Sequence, residues 1–76
     1  SLTMKGSMRQ NGKILALIQT PDGEIERIQR GSYMGVNHGR VVNITPTQID
    51  LIEIIPDGRE GYVERPRSLV LIGPAP

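Results

Sequence analysis

The chain has 76 residues, nine basic and eight acidic, for a net charge of +1, with no cysteine, no Phe or Trp and only 3% aromatic residues. A chain this short buries only about 60% of its unfolded surface, which excludes a deep, fully walled substrate pocket and demands a core of Ile, Leu, Val and Met. Disulfides and thiolate metal ligation are excluded, the basic excess of a nucleic-acid binder is missing, and no apolar run approaches the roughly 18 residues that cross a bilayer.

Apolar positions recur mostly every second residue, and turn residues punctuate the chain at short intervals. This pattern predicts a small all-β sandwich or barrel-like domain. "LTMKGSMR" (2–9) alternates Leu2, Met4, Gly6 and Met8 against Thr3, Lys5, Ser7 and Arg9, as a half-buried strand does. "QNG" (10–12) turns the chain into "KILALIQT" (13–20), whose apolar density predicts a strand covered on both faces. Pro21, Asp22 and Gly23 make a strong turn, because proline presets φ, aspartate bonds its own backbone and glycine accepts positive φ. "EIERIQR" (24–30) returns as the second strand of a hairpin. Its Glu24, Glu26, Arg27 and Arg30 read as a solvated face with cross-strand ion pairs.

"GSYMGVNHGRV" (31–41) gathers Gly31, Gly35, Gly39, Tyr33 and the only histidine, His38. It lacks the Gly-Lys-Ser/Thr ending and following helix of a phosphate loop. No partner at ligand spacing accompanies His38, so it reads as a polar loop residue rather than a metal ligand or general base. The segment therefore reads as a crossing between strands, with Tyr33 and Met34 packed beneath it. "GRVVNIT" (39–45) resumes β character, and "PTQ" (46–48) turns the chain. The start of "TPTQID" (45–50) is the best place for a helical turn. "IDLIEII" (49–55) puts Ile49, Leu51, Glu53 and Ile55 on one face and Asp50, Ile52 and Ile54 on the other. After "PDGREG" (56–61) come "YVERP" (62–66) and "RSLVLI" (67–72), with Pro66 either dividing two strands or sitting at a sheet edge. About seven mostly antiparallel strands thus form one domain over 1–72, and "GPAP" (73–76) reads as a disordered tail.

Nothing in this pattern assembles a reaction centre. Glu53 and Glu64 are not brought together over a substrate, and Arg59, Arg65 and Arg67 lie among Glu60 and Glu64 as a mixed surface. The segments around the two Pro-Asp-Gly turns do not align further, so there is no internal repeat. No catalytic residue, cofactor or metal is expected.

The order of motifs is informative as a whole. "ALIQTPDGEIERI", "GSYMGVNHGRV", "EIIPDGREGYVERP" and the closing "SLVL", with Gly6 before the first turn, resemble the periplasmic domain of the PilP family of type IV pilus assembly lipoproteins. The resemblance covers about residues 2 to 72 and is most specific from Asp57 to Pro66, with Tyr62 standing where a tryptophan is expected more often. It implies a compact β-sandwich similar to the homology-region domain of the type II secretion protein GspC. It also implies a non-catalytic docking role, linking the inner-membrane PilM/PilN/PilO subcomplex to the N-terminal periplasmic domains of the outer-membrane secretin PilQ. A chain opening on Ser1 then reads as a fragment. A lipid-anchored N-terminus and a linker carrying most of the PilN/PilO contact would lie upstream, and the folded domain itself would be monomeric and periplasmic.

Two contact surfaces are expected. One is the first strand as a sheet edge, with Lys5, Ser7 and Arg9 beside unpaired backbone. The other is an apolar groove where the sheets splay, lined by Leu17, Ile25 or Leu69. The competing reading is a nucleic-acid-binding barrel of SH3-like or OB type, suggested by the glycine-punctuated "RGSYMGVNHGRVVNI" and opposed by the near-neutral charge and the scarcity of stacking aromatics.

Overall fold

A computed structural model describes residues 2–35 and 38–72; the expected tail at 73–76 lies outside them, as do two residues of the glycine-rich segment. The strands are β1 (Thr3–Gln10), β2 (Lys13–Gln19), β3 (Ile25–Ile28), β4 (Tyr33–Met34), β5 (Gly39–Thr45), β6 (Gln48–Pro56) and β7 (Tyr62–Val70). They form two antiparallel sheets, β1-β2-β3 and β4-β5-β6-β7. The all-β expectation of seven strands holds. The short β4 lies in the segment expected as a crossing, and of the two placements expected for Pro66 the second holds: Tyr62–Val70 is one strand at a sheet edge.

Local chemistry explains most of the connections. Gln10 pairs with Lys13, and Asn11 (φ 54°) and Gly12 (φ 77°) between them both lie in the left-handed region. That is the Asn-Gly turn whose twist matches the strands it joins. Pro46 and Thr47 connect Thr45 to Gln48 directly. The backbone N–H of Thr47 donates to Thr45 Oγ1 (3.3 Å), so the expected helical turn is a tight hairpin instead.

"GSYMGVNHGRV" crosses from one sheet to the other and then doubles back. Gly31 N–H donates to the Val41 carbonyl, Val41 N–H donates to that of Ser32, and Met34 pairs with Gly39. Met34 is buried, but Tyr33 is 66% exposed, because neighbouring strand residues point to opposite faces. Gly39 is there for close approach: a Cβ at this position would run into Leu51 Cδ1.

The core lies between the sheets. Met4, Ala16 and Ile18 come from the three-stranded sheet, and Met34, Val41, Ile44, Ile49 and Leu51 from the four-stranded one. Two bulges reset the alternation. In β1 the extra residue is Lys5, so Met4 faces inward with Ile18, while Gly6 and Met8 share the outer face with Leu17 and Leu15. The expected inward row Leu2-Met4-Gly6-Met8 therefore breaks at Lys5, and Ser7 takes the inner face opposite Ala16. In β5 the extra residue is Val42. The double covering expected of β2 is not observed either: Leu15 and Leu17 are half-buried on an outer face that no described element covers.

β7 is an edge strand. Leu71 N–H donates to the Thr47 carbonyl (2.7 Å), and the register from Gln48↔Val70 to Pro56↔Tyr62 is unbroken. Odd-numbered residues of β7 therefore turn their backbone toward β6, and Pro66 turns its nitrogen, which has no hydrogen, to the free side. Proline is tolerated there, and it interrupts the donor row that an added strand would need.

Candidate docking site

β6 supplies the floor of the site. Its inner face reads Ile49, Leu51, Glu53, so a carboxylate follows two core residues in the buried phase. Glu53 is 2% exposed. Its register partner in β7 is Arg65, with Arg67 opposite Leu51, and both arginines share the inner face. Arg65 Nη2 donates to Glu53 Oε1 (3.0 Å) and Arg67 Nη1 to Oε2 (3.2 Å). Each carboxylate oxygen thus has its own guanidinium, which is what a desolvated charge requires. The Arg65 hydrogen bond holds the Glu53 carboxyl below the usual range; burial opposes this, and Arg67 adds to it.

Alternation along β6 puts Glu53 on the apolar face, but nothing in that strand alone puts the arginines beside it. Arg65 and Arg67 are two apart, on one strand face, which is the available signal; only the β6–β7 register turns it into a site. Among the described residues the ion pairs are these two, and none joins the charges of β3, so the ion pairs expected there do not form. Glu64 pairs with Ile54 on the outer face, away from Glu53.

In front of this floor the sheets splay into a groove of about 540 Å³. Leu2 and Ile28 stand on one wall, Met34, Leu51 and Leu69 on the other. Glu26, Tyr33, His38, Glu53 and Arg67 are its polar members. His38 is exposed, with a left-handed φ of 50° and its N–H on the Gly35 carbonyl (3.3 Å), the geometry of a turn residue. No group of three or more metal-ligating side chains occurs among the described residues.

The opposite face of β6 carries a second carboxylate in another setting. Asp50 Oδ1 accepts from Gln48 Nε2 (2.6 Å) and Ser68 Oγ (2.8 Å), and Oδ2 accepts from Asn43 Nδ2 (3.4 Å). The Gln48 bond, then those of Ser68 and Asn43, lower its pKa from the ordinary aspartate range.

Residues 1–71 match the family described as "Pilus assembly protein, PilP". The chain belongs to the PilP family. It is 43% identical over 68 residues to the type IV pilus inner membrane component PilP of Pseudomonas aeruginosa, spanning 90% of this chain and 38% of that protein. The solution structure of PilP from P. aeruginosa superposes with a TM-score of 0.84 at 39% identity, covering 97% of this chain and 66% of that one. A PilP domain from the same organism gives 0.81 at 41% identity, covering 92% and 79%. A domain of the Neisseria meningitidis PilP pilot protein gives 0.78 at 28% identity, covering 99% and 73%. Family membership decides for the pilus-assembly reading over the nucleic-acid barrel.

In this PilP-family domain the expected contact residues do not all converge. Lys5 and Arg9 are exposed on β1, which is an edge strand, while Ser7 is half-buried and faces Ala16. Leu69 lines the groove. Leu17 and Ile25 do not; they lie on the outer face of the three-stranded sheet, opposite Arg27 and Gln19. Ile28, three residues on and so on the opposite face of β3 from Ile25, is the isoleucine that reaches the groove. Tyr62 is 70% exposed and paired with Pro56, so it fills no interior space.

Proposed function

We propose that this domain is a non-catalytic periplasmic docking module of the type IV pilus assembly machine. In this reading an upstream lipid anchor and linker tether it to the inner membrane, where the linker meets PilN and PilO of the PilM/PilN/PilO subcomplex. The folded part, as a monomer, binds the N-terminal periplasmic domain of the outer-membrane secretin PilQ. The observation that carries the reading is an open apolar groove in a domain of a pilus assembly family, flanked by sheet edges that differ in their readiness to pair.

The edges rank by their backbone. β4 is two residues long, β7 is continuous but lacks a donor on its free edge at Pro66, and β1 is bulged at Lys5, whereas β3 is short and unbroken. Edge pairing supplies affinity through main-chain bonds, and side chains in an adjacent groove supply register. Lys5, Ser7 and Arg9 on β1 remain the alternative edge, with Leu69 in the groove and Leu17 and Ile25 on the outer face as further contacts.

Chemical-shift mapping of the labelled domain against the isolated N-terminal domain of PilQ tests the reading. Perturbations concentrated on Glu26–Ile28 and Arg67–Leu69 are expected. Replacing Lys5 and Arg9 with Glu is then a check on the β1 edge, whose removal from the contact an unchanged dissociation constant would establish. A titration without shifts would overturn the docking function of this domain.

A further inference from the structure

Arg67, which lines the groove, and Arg65, two residues before it on the same face of β7, are only partly used by the fold. A guanidinium has five N–H donors. Arg65 and Arg67 each spend one nitrogen on Glu53, and no other side-chain acceptor reaches them among the described residues. Their side chains are 57% and 55% exposed, although the carboxylate they hold is 3% exposed. One carboxylate against two guanidiniums leaves a positive charge uncompensated on the four-stranded wall. Across the groove stands Glu26 of β3, exposed and without an ion pair among the described residues. The groove therefore has apolar walls and a fixed polarity, acidic beside β3 and basic beside β7.

We propose that the groove receives an extended peptide segment of a partner protein in which a carboxylate, flanked by apolar side chains, docks on Arg67, with Arg65 two residues along the same strand face. This rests on the docking reading above and adds the chemistry of what docks. At about 540 Å³ the groove falls in the ~300–1,000 Å³ range of compact ligand sites, room for a few side chains of a strand rather than a helix face. Arg67 lines the groove directly, and its one hydrogen bond to Glu53 beneath it leaves its other guanidinium donors for a second carboxylate. Alternation along an extended segment sends every second side chain inward, so the carboxylate and its apolar neighbours on that face reach the wall together. Glu26 sets the direction, because it repels an acid placed at the β3 side.

The test uses two capped pentapeptides, Val-Thr-Glu-Thr-Val and Val-Thr-Lys-Thr-Val, which put the charged residue and both valines on one face of the extended chain, titrated into the nitrogen-15-labelled domain. The glutamate peptide is expected to shift the amides of Arg65, Arg67 and Glu26 and to bind at least about fivefold more tightly than the lysine peptide. Arg67→Gln should weaken the glutamate peptide by about fivefold, with Arg65 still pairing Glu53. Glu26→Gln, an exposed change that leaves the fold untouched, should tighten it by about twofold. Equal affinity for the two peptides, no response to Glu26→Gln, or no shifts with the glutamate peptide at its solubility limit would each overturn the proposal. Binding of the PilQ domain without a glutamate-peptide response sinks this inference and leaves the docking reading. A peptide response without PilQ binding does the reverse.

Discussion

Asp50 and Glu53 are carboxylates on one strand and on opposite faces of it, and they are held in different ways. Asp50 is met by an amide from its own strand, an amide from β5 and a hydroxyl from β7, all neutral and all near water. Glu53 is buried among core residues and is met by two full charges that themselves stay half in solvent. The difference follows from desolvation. A carboxylate at the surface keeps much of its hydration and gains little from strong partners, whereas one removed from water requires them. The outer face of β6 is therefore tolerant, and its inner face is not.

The largest contrast between the faces is apolar. Ile49 is completely buried, and Ile49→Ala should cost about 2–5 kcal/mol in urea unfolding. Ile54 on the outer face is 43% exposed, and Ile54→Ala should stay within about 0.5 kcal/mol. Equal losses at the two positions would mean that the outer face is covered in the isolated domain.

A smaller effect is expected from the arginines. Replacing Arg65 and Arg67 together with Gln strands the Glu53 carboxylate, though water can reach it through the open groove. The double variant should melt below the sum of the single ones, because either arginine alone still serves one carboxylate oxygen. Additive melting shifts would show that the two act independently.

The smallest effect is in the acid limb of the stability curve. Both folded carboxyl groups titrate below their unfolded values, so in that window the unfolded chain binds more protons and stability rises with pH. Their contribution is complete above the unfolded range, near pH 4, and disappears as pH falls through the folded pKa values. Glu53→Gln and Asp50→Asn should each flatten this slope. Added salt should weaken only the Glu53 share, since Asp50 is held by neutral donors.

Some of this organisation was legible along the chain. The Asn-Gly hairpin, the limits of "GRVVNIT" and the two faces of "IDLIEII" were readable because each depends on neighbouring residues alone. The bulges at Lys5 and Val42 were not, since a bulge exists only relative to the partner strand it slips against. For the same reason Met8 and Ser7 exchanged faces. Leu17 and Ile25 looked like groove residues because apolar side chains suggest burial; their register sends them to the uncovered outer face instead.

By itself the sequence determined an aliphatic, cysteine-free β domain of the PilP family, with its turns in place and one acid embedded in an apolar strand face. Only the tertiary structure decided that this acid would meet Arg65 and Arg67, that β7 would run unbroken through Pro66 as an edge, and that the sheets would part into a polarised groove. The physical reason is that alternation is a property of a single strand, whereas charge pairing, edge exposure and clefts arise from the register between strands and the packing of one sheet on another.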